Sequence, residues 1–278
     1  MRDNGIPEAQ GLNGLDWFAG LAKEALERLV SVRDQESAVL RQSHLDHFLQ
    51  VLATDSAVDP AVLLDAMIAR HLDAAMVACD YAPEAARCLG ADWHNDLISF
   101  VDVTIRTERL HGLVRRVDEM VAETAVAGGP SALIVVAEAE QHTLGAHVLA
   151  LRLRIAGFSV VMRVAPVAAD LTLLMAAKRF DLALVSIGCT AGLDSGIGLV
   201  RTLRLLSRGE MCIFVGGAIP VTDEALQSET GADRILRDVS ALLAEYDACV
   251  AGRTLDRDGK RGLRRLAKSS VKGDGVDK

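Results

Sequence analysis

The sequence predicts a chain in two parts: an N-terminal helical bundle, then a doubly wound, five-stranded parallel sheet of the Rossmann-like or flavodoxin-like kind. Three observations predict it. Before Gly128 apolar residues recur at helical spacing and no strand pattern appears. Ala127-Gly128-Gly129-Pro130 then interrupts the chain. Beyond it, short continuous apolar runs alternate with helical stretches, as in a parallel sheet covered on both faces.

In order, residues 1–14 read as disordered. Leu15, Phe18, Ala22, Leu26 and Leu29 form the first helical stripe, and Leu40–Leu52 a second. Asp59-Pro60 is a start signal, a capping carboxylate before a proline preset for the first turn, so a helix is expected over Pro60–Ala69. Helices follow over His71–Cys79 and Pro83–Leu89. A long one spans about Ser99–Glu123, with Phe100, Val103, Thr107, Leu110, Val114, Val117 and Val121 as its apolar stripe. The strands are Ala132–Val136, Ser159–Val164, Leu182–Val185, Cys212–Val215 and a weaker Arg234–Leu236. Helices between and after them are expected over His142–Ile155, Leu171–Arg179, Gly198–Leu206, Asp223–Glu229 and Val239–Tyr246. The expected division is 15–126 for the helical domain, 130–250 for the sheet domain and 251–278 for a basic, disordered tail.

Composition narrows the function. The chain has 278 residues, half of them hydrophobic but only 4% aromatic, and a formal charge of −8. The stretch from Ala251 holds nine basic and four acidic residues, which leaves 21 basic against 34 acidic before it, a net of −13. An acidic body repels polyanions, so sequence-specific DNA binding by the folded part is not expected. The tail reads as a solubilising end or as a weak electrostatic contact to nucleic acid or to a partner. No apolar run is long enough to span a bilayer and no secretory leader is evident, so a cytoplasmic protein without membrane contact is expected. The five cysteines, odd in number and without a CxxC pair, read as small buried hydrophobes rather than a disulfide framework or zinc site. His44 and His47, three apart on a helix, read as a polar face. His147 is expected off the face of His142 and in solvent, and His71 and His111 show no partner pattern. Ser195 lacks the surroundings of a hydrolase nucleophile.

In a doubly wound sheet, ligands sit beyond the carboxyl ends of the strands. The first such loop, Ala137 to Gly145, has neither a dinucleotide nor a P-loop glycine pattern. It offers Glu140, His142 and Gly145 instead. A neutral imidazole can ligate a metal through one nitrogen while a carboxylate accepts from the other, and Glu140 is placed for that. Gly145 would let a bulky ligand approach the helix start. The third strand runs into Ser186-Ile187-Gly188 and the fourth into Gly216-Gly217, so small residues leave a groove between adjacent loops.

These residues resemble the signature of the cobalamin-binding domain family: Asp-x-His-x-x-Gly, then Ser-x-Leu, then Gly-Gly. Glu140, His142 and Gly145, then Ser186, then Gly216 and Gly217 match it in order. Glu140 stands in place of Asp, and Gly188 in place of Leu. The resemblance implies that His142 is the lower axial ligand of cobalt, with the displaced nucleotide tail near Ser186, Gly188, Gly216 and Gly217. It also implies that the helical domain is a cap, since the stretch around Trp93-His94 resembles helices covering the upper face of cobalamin. Light-sensing members carry Glu and His ten and eleven residues after that Trp. Here Val103 and Thr104 stand there, which implies that hydroxo- or aquocobalamin is preferred to the adenosyl form. His94 is either a second cobalt ligand or a surface imidazole beside a packed Trp.

Over roughly Pro60–Val250 the chain is most similar to the PpaA/AerR-type antirepressors of purple photosynthetic bacteria. What this implies is a non-catalytic, cobalamin-binding sensor. It would modulate a transcriptional repressor of photosynthesis genes in response to light, redox state or corrinoid supply, acting through that partner protein. The alternatives are a corrinoid carrier for methyl transfer and, since His142 suits iron as well as cobalt, a haem-binding redox sensor of the same fold.

Overall fold

The structure, a computed structural model, describes residues 41–54, 59–124, 128–138, 140, 143–217, 221–237 and 239–253. The helix expected over Leu15–Leu29, the N-terminal stretch expected to be disordered and most of the basic tail lie outside the described residues, as does His142. The chain divides into two compact units, one of residues 1–129 with 147–159, the other of residues 130–146 with 160–278.

The first unit is helical throughout its described residues before Gly129: α1 (Gln42–Leu52), α2 (Pro60–Ile68), α3 (Ala74–Met76), α4 (Ala82–His94) and α5 (Phe100–Thr124). Local chemistry starts these helices. The Asp59 carboxylate accepts from the Ala61 N–H at 2.8 Å, and Asp73 accepts from Ala75 and Met76. Ser99 and Asp102 form a reciprocal capping box at the head of α5, each side chain accepting from the other's backbone N–H. The two helices expected over 71–89 are one rod in the structure. A π-helical turn, Val77–Tyr81, joins α3 to α4 just before Pro83, which has no N–H to give the Cys79 carbonyl four residues earlier. Arg152 donates to the Cys79 carbonyl and the Asp80 carboxylate, both at 2.7 Å, at that turn. Phe48, Leu52, Leu63, Met67, Leu89, Leu110 and Leu113 fill the core of this unit. A Cβ at Gly112 would stand 2.6 Å from Pro60 Cγ, so α5 lies close against the head of α2.

The second unit carries β1 (Ser131–Val136), β2 (Ser159–Val164), β3 (Leu182–Ser186), β4 (Cys212–Gly216) and β5 (Arg234–Leu236), in sheet order β2-β1-β3-β4-β5. The pairs β1–β3, β3–β4 and β4–β5 are parallel. Along the chain the strands alternate with α6 (Leu144–Ile155), which from His147 onward belongs to the first unit, and with α7 (Ala168–Ala177), α8 (Leu193–Leu206) and α9 (Asp223–Thr230), and residues 242–253 form a last helix, α10. This is the doubly wound class that the apolar runs predict. The strands read as unbroken apolar runs because both faces are buried. Leu133, Val135, Ala183, Val185, Ile213 and Val215 pack on one side with Leu171, Val200, Leu203 and Leu226. Ile134, Leu182, Leu184 and Phe214, on the other, are buried as well. At the opposite end from the candidate site, Asp181 accepts from the backbone N–H and hydroxyl of Ser131, and Asp233 from the Ile213 N–H.

Two expectations need correction. Cys212 of β4 and Cys249 of α10 form a disulfide, with Cα atoms 6.5 Å apart. They are 37 residues apart, and only the packing of α10 brings them together. His147 is not in solvent. It is half-buried, and its ring meets the buried His111 edge-on with centroids 5.4 Å apart. Both belong to the first unit.

The histidine pair predicts a pH dependence. Burial, then the neighbouring His147, lowers the pKa of His111 below 6.5; burial, then Arg115, lowers that of His147. Glu108 and Asp118 oppose these shifts. As pH falls through 6.5 the unfolded chain takes up protons that the folded chain still refuses, so stability declines from there downward. Thermal melts at pH 7.5 and 5.5 should show that decline, and His111→Leu should reduce it. A decline of the same size in His111→Leu would assign it to other groups.

Candidate functional site

The register sets the site. Val136, Ser186, Gly216 and Leu236 form one row across β1, β3, β4 and β5 at the carboxyl ends of the strands. The ladder runs one residue further on each side of β3. The Ala137 N–H donates to the Ser186 carbonyl at 3.1 Å, and the Ile187 N–H to the Gly216 carbonyl at 2.9 Å. The loops after β1, β3 and β4, which carry the three motif segments, therefore leave the sheet side by side. Connections from β1 and from β2 lead to opposite sides of β1, so β1 and β3 flank a topological switch point, where a doubly wound sheet opens its ligand crevice.

Apart from His142, each predicted residue of this unit can be placed. A turn closed by the Glu140 N–H to the Ala137 carbonyl, at 3.0 Å, sends the chain from β1 to Glu140. Glu140 is only 5% exposed, although it is a carboxylate in a loop. It lies against the bare Cα of Gly188: a Cβ there would overlap the carboxylate and stand 2.6 Å from its Cδ. Gly216 and Gly217 are also used by the protein itself. A Cβ on Gly216 would come within 2.9 Å of the Leu236 carbonyl oxygen. One on Gly217, whose φ is +137°, would overlap the Ile187 carbonyl. Gly145 differs, because a Cβ there would have nothing within 4 Å, so the first turn of α6 faces open space. Ser186 is half-buried in the central row. A cavity of about 260 Å³ at the same crest is lined by Glu138, Pro166, Leu171, Leu199 and Thr202.

The remaining predicted residues belong to the helical unit. Trp93 is 49% exposed and its ring stands 6.3 Å from that of Phe100, which is 67% exposed. His94 is exposed, Val103 half-buried, and the exposed Thr104 hydroxyl donates to the Phe100 carbonyl. The stripe of α5 thus divides: from Leu110 to Val117 it is core, while its first turns are open. Leu97, Val101 and Ile105 are exposed there too, and the sequence reading did not single them out. Apolar residues at Phe100, Val101, Val103 and Ile105 cover more than one face of the helix, which was the available signal. Contiguous exposed apolar side chains mark a binding surface. Among the described residues no cluster of three or more metal-ligating side chains occurs. No described helix is long and apolar enough to cross a membrane.

The comparisons agree with this architecture. A Rhodobacter capsulatus protein, described as an uncharacterized 20.5 kDa protein in the bchF-crtJ intergenic region, is 39% identical over 187 residues, which is 66% of this chain and 97% of the relative. This chain belongs to the family of that protein. The family's shared stretch spans nearly the whole of the relative. Among solved structures, the monomethylamine corrinoid protein of Methanosarcina barkeri matches with a TM-score of 0.58 at 18% identity, over 73% of this chain and 98% of that one. At that identity the likeness is one of fold. No protein-family model matches the chain.

Proposed function

We propose that the protein is a cobalamin-binding regulatory sensor that acts on a partner protein rather than on a substrate. The observation that supports this reading is the row Val136–Ser186–Gly216, which brings the loop holding Glu140 beside the loops of Gly188 and Gly217 at the switch point of the sheet. The residues suit a corrinoid. The sequence places an imidazole donor two residues after a buried carboxylate, and the start of the next helix leaves open space at Gly145. On the helical unit, Trp93 and Phe100 form an exposed apolar surface of their own. The fold is shared with a corrinoid protein, and the family includes a protein encoded between bchF and crtJ.

In this proposal His142 would supply a nitrogen ligand to the metal and Glu140 would fix the imidazole's tautomer by accepting from its other N–H. When bound, a corrinoid would supply a cobalt centre whose chemistry responds to light or redox state. His94 is the proposed second ligand. Val103 and Thr104 stand where the light-sensing relatives carry Glu and His, which favours the hydroxo or aquo form over the adenosyl form. A ligand shifts a conformational equilibrium only through its differential affinity for the two states. The sensor role therefore requires that corrinoid forms differ in their effect on partner affinity. The proposed partner is a transcriptional repressor of photosynthesis genes.

The test is reconstitution of the purified chain with hydroxocobalamin, adenosylcobalamin and haemin in parallel, followed by gel filtration and visible spectra. Retention of hydroxocobalamin in preference to the others supports the proposal. Retention of haemin alone would make the protein a haem sensor. Corrinoid-dependent methyl transfer by the loaded protein would make it a carrier.

A further inference from the structure

We propose that Gly188 is a positioning residue for the buried carboxylate of Glu140, and that the two form one steric unit in which a longer acid and a missing side chain compensate each other. The functional half of this inference rests on the corrinoid proposal above; the steric half does not.

The Glu140 side chain fills the place that any side chain at 188 would take. A Cβ on Gly188 would overlap one carboxylate oxygen, stand 2.6 Å from Cδ and 3.1 Å from the other oxygen. Backbone on the far side is held. Ile187 is fully buried, its N–H is bonded to the Gly216 carbonyl at 2.9 Å, and its own backbone lies against the bare Cα of Gly217. The strand end at 187–188 therefore has little room to retreat, whereas the carboxylate is the far end of a flexible side chain. A residue larger than glycine at 188 would displace the carboxylate first. An aspartate at 140 is one methylene shorter and would withdraw from the overlap. Moving the carboxylate matters for ligation because it stands two residues before the proposed axial imidazole, and partners of a metal-ligating histidine typically contribute ten- to a hundredfold in metal affinity.

The test is a double-mutant cycle on the full chain with Gly188→Ala, Glu140→Asp and the two combined. The first measurement is the melting temperature of the protein without corrinoid. Gly188→Ala is expected to lower it, and adding Glu140→Asp should recover at least half of the loss. The second is affinity for hydroxocobalamin, with the nitrogen splitting of the cobalt(II) electron paramagnetic resonance signal as the report of axial ligation. Gly188→Ala should weaken binding by about tenfold and diminish that splitting, and Glu140→Asp should restore both in the double variant. Additive melting shifts, or a Gly188→Ala protein that melts and binds as the wild type does, would overturn the inference. If Gly188→Ala does not fold, a double variant that folds is the same result in stronger form, and one that does not fold overturns it. A wild type that takes up no corrinoid while the melting cycle is non-additive removes the corrinoid reading and leaves the steric pair standing.

Discussion

Gly217→Ala is expected to lower the melting temperature of the protein by roughly 6–12 °C. Two costs combine. Gly217 has a φ of +137°, a conformation that L side chains rarely adopt, and holding a residue there costs about 1–3 kcal/mol. Its Cβ would also overlap the carbonyl of Ile187, a backbone contact that cannot rotate away, which adds about 1–3 kcal/mol of overpacking. Together these come to about 2–6 kcal/mol, a large share of the stability of an ordinary domain, and about 3 kcal/mol at about 2–4 °C per kcal/mol gives the expected shift. Gly198→Ala is the control. Gly198 lies in α8 with nothing within 4 Å of a Cβ, so alanine there is expected to be neutral or to stabilise by about 0.5–1 kcal/mol. Thermal melts of the two variants decide it. A Gly217→Ala protein that melts with the wild type would mean that the loop after β4 relaxes freely, and the close approach of the strand-end loops would lose its energetic meaning.

His142→Ala is expected to weaken hydroxocobalamin binding by about a hundredfold, or about 3 kcal/mol, because it removes the proposed donor nitrogen itself rather than a partner of it. The nitrogen splitting of the reduced cobalt signal should vanish in the same variant. His147→Ala is the matched control: its ring packs on His111 in the helical unit, and its loss should leave the splitting intact. His94→Ala separates the two readings of that imidazole. A second cobalt ligand would change the visible spectrum of the loaded protein when removed, while a surface imidazole would not. Equilibrium titration followed in the visible band measures all three. Wild-type affinity in His142→Ala would sink the proposed ligation.

How far the site was legible can be argued residue by residue. Glu140, Ser186, Gly216 and Gly217 were visible as chemistry-bearing or small residues just after apolar runs, and the sheet places them where such positions must lie. Their spacing could not reveal that Gly216 and Gly217 accommodate neighbouring strands, since the missing Cβ of each faces atoms distant in sequence. Gly188 read as a departure from a pattern. Its reason, the carboxylate lying against it, is a contact across 48 positions that no local signal encodes. Pairing of His111 with His147 and of Cys212 with Cys249 was missed for the same cause.

By itself the sequence determined the two-part order of the chain, the start of α2 from Asp59-Pro60, the five strands within about a residue at each end, and the doubly wound class. Each depends on periodicity, capping or a chain break, all properties of residues near one another along the backbone. Only the tertiary structure decided the sheet order β2-β1-β3-β4-β5, the continuity of α3 with α4 through a π turn, the open first turns of α5, and the burial of Glu140 against Gly188. Those depend on which distant surfaces meet, and close packing, which local patterns do not specify, sets that.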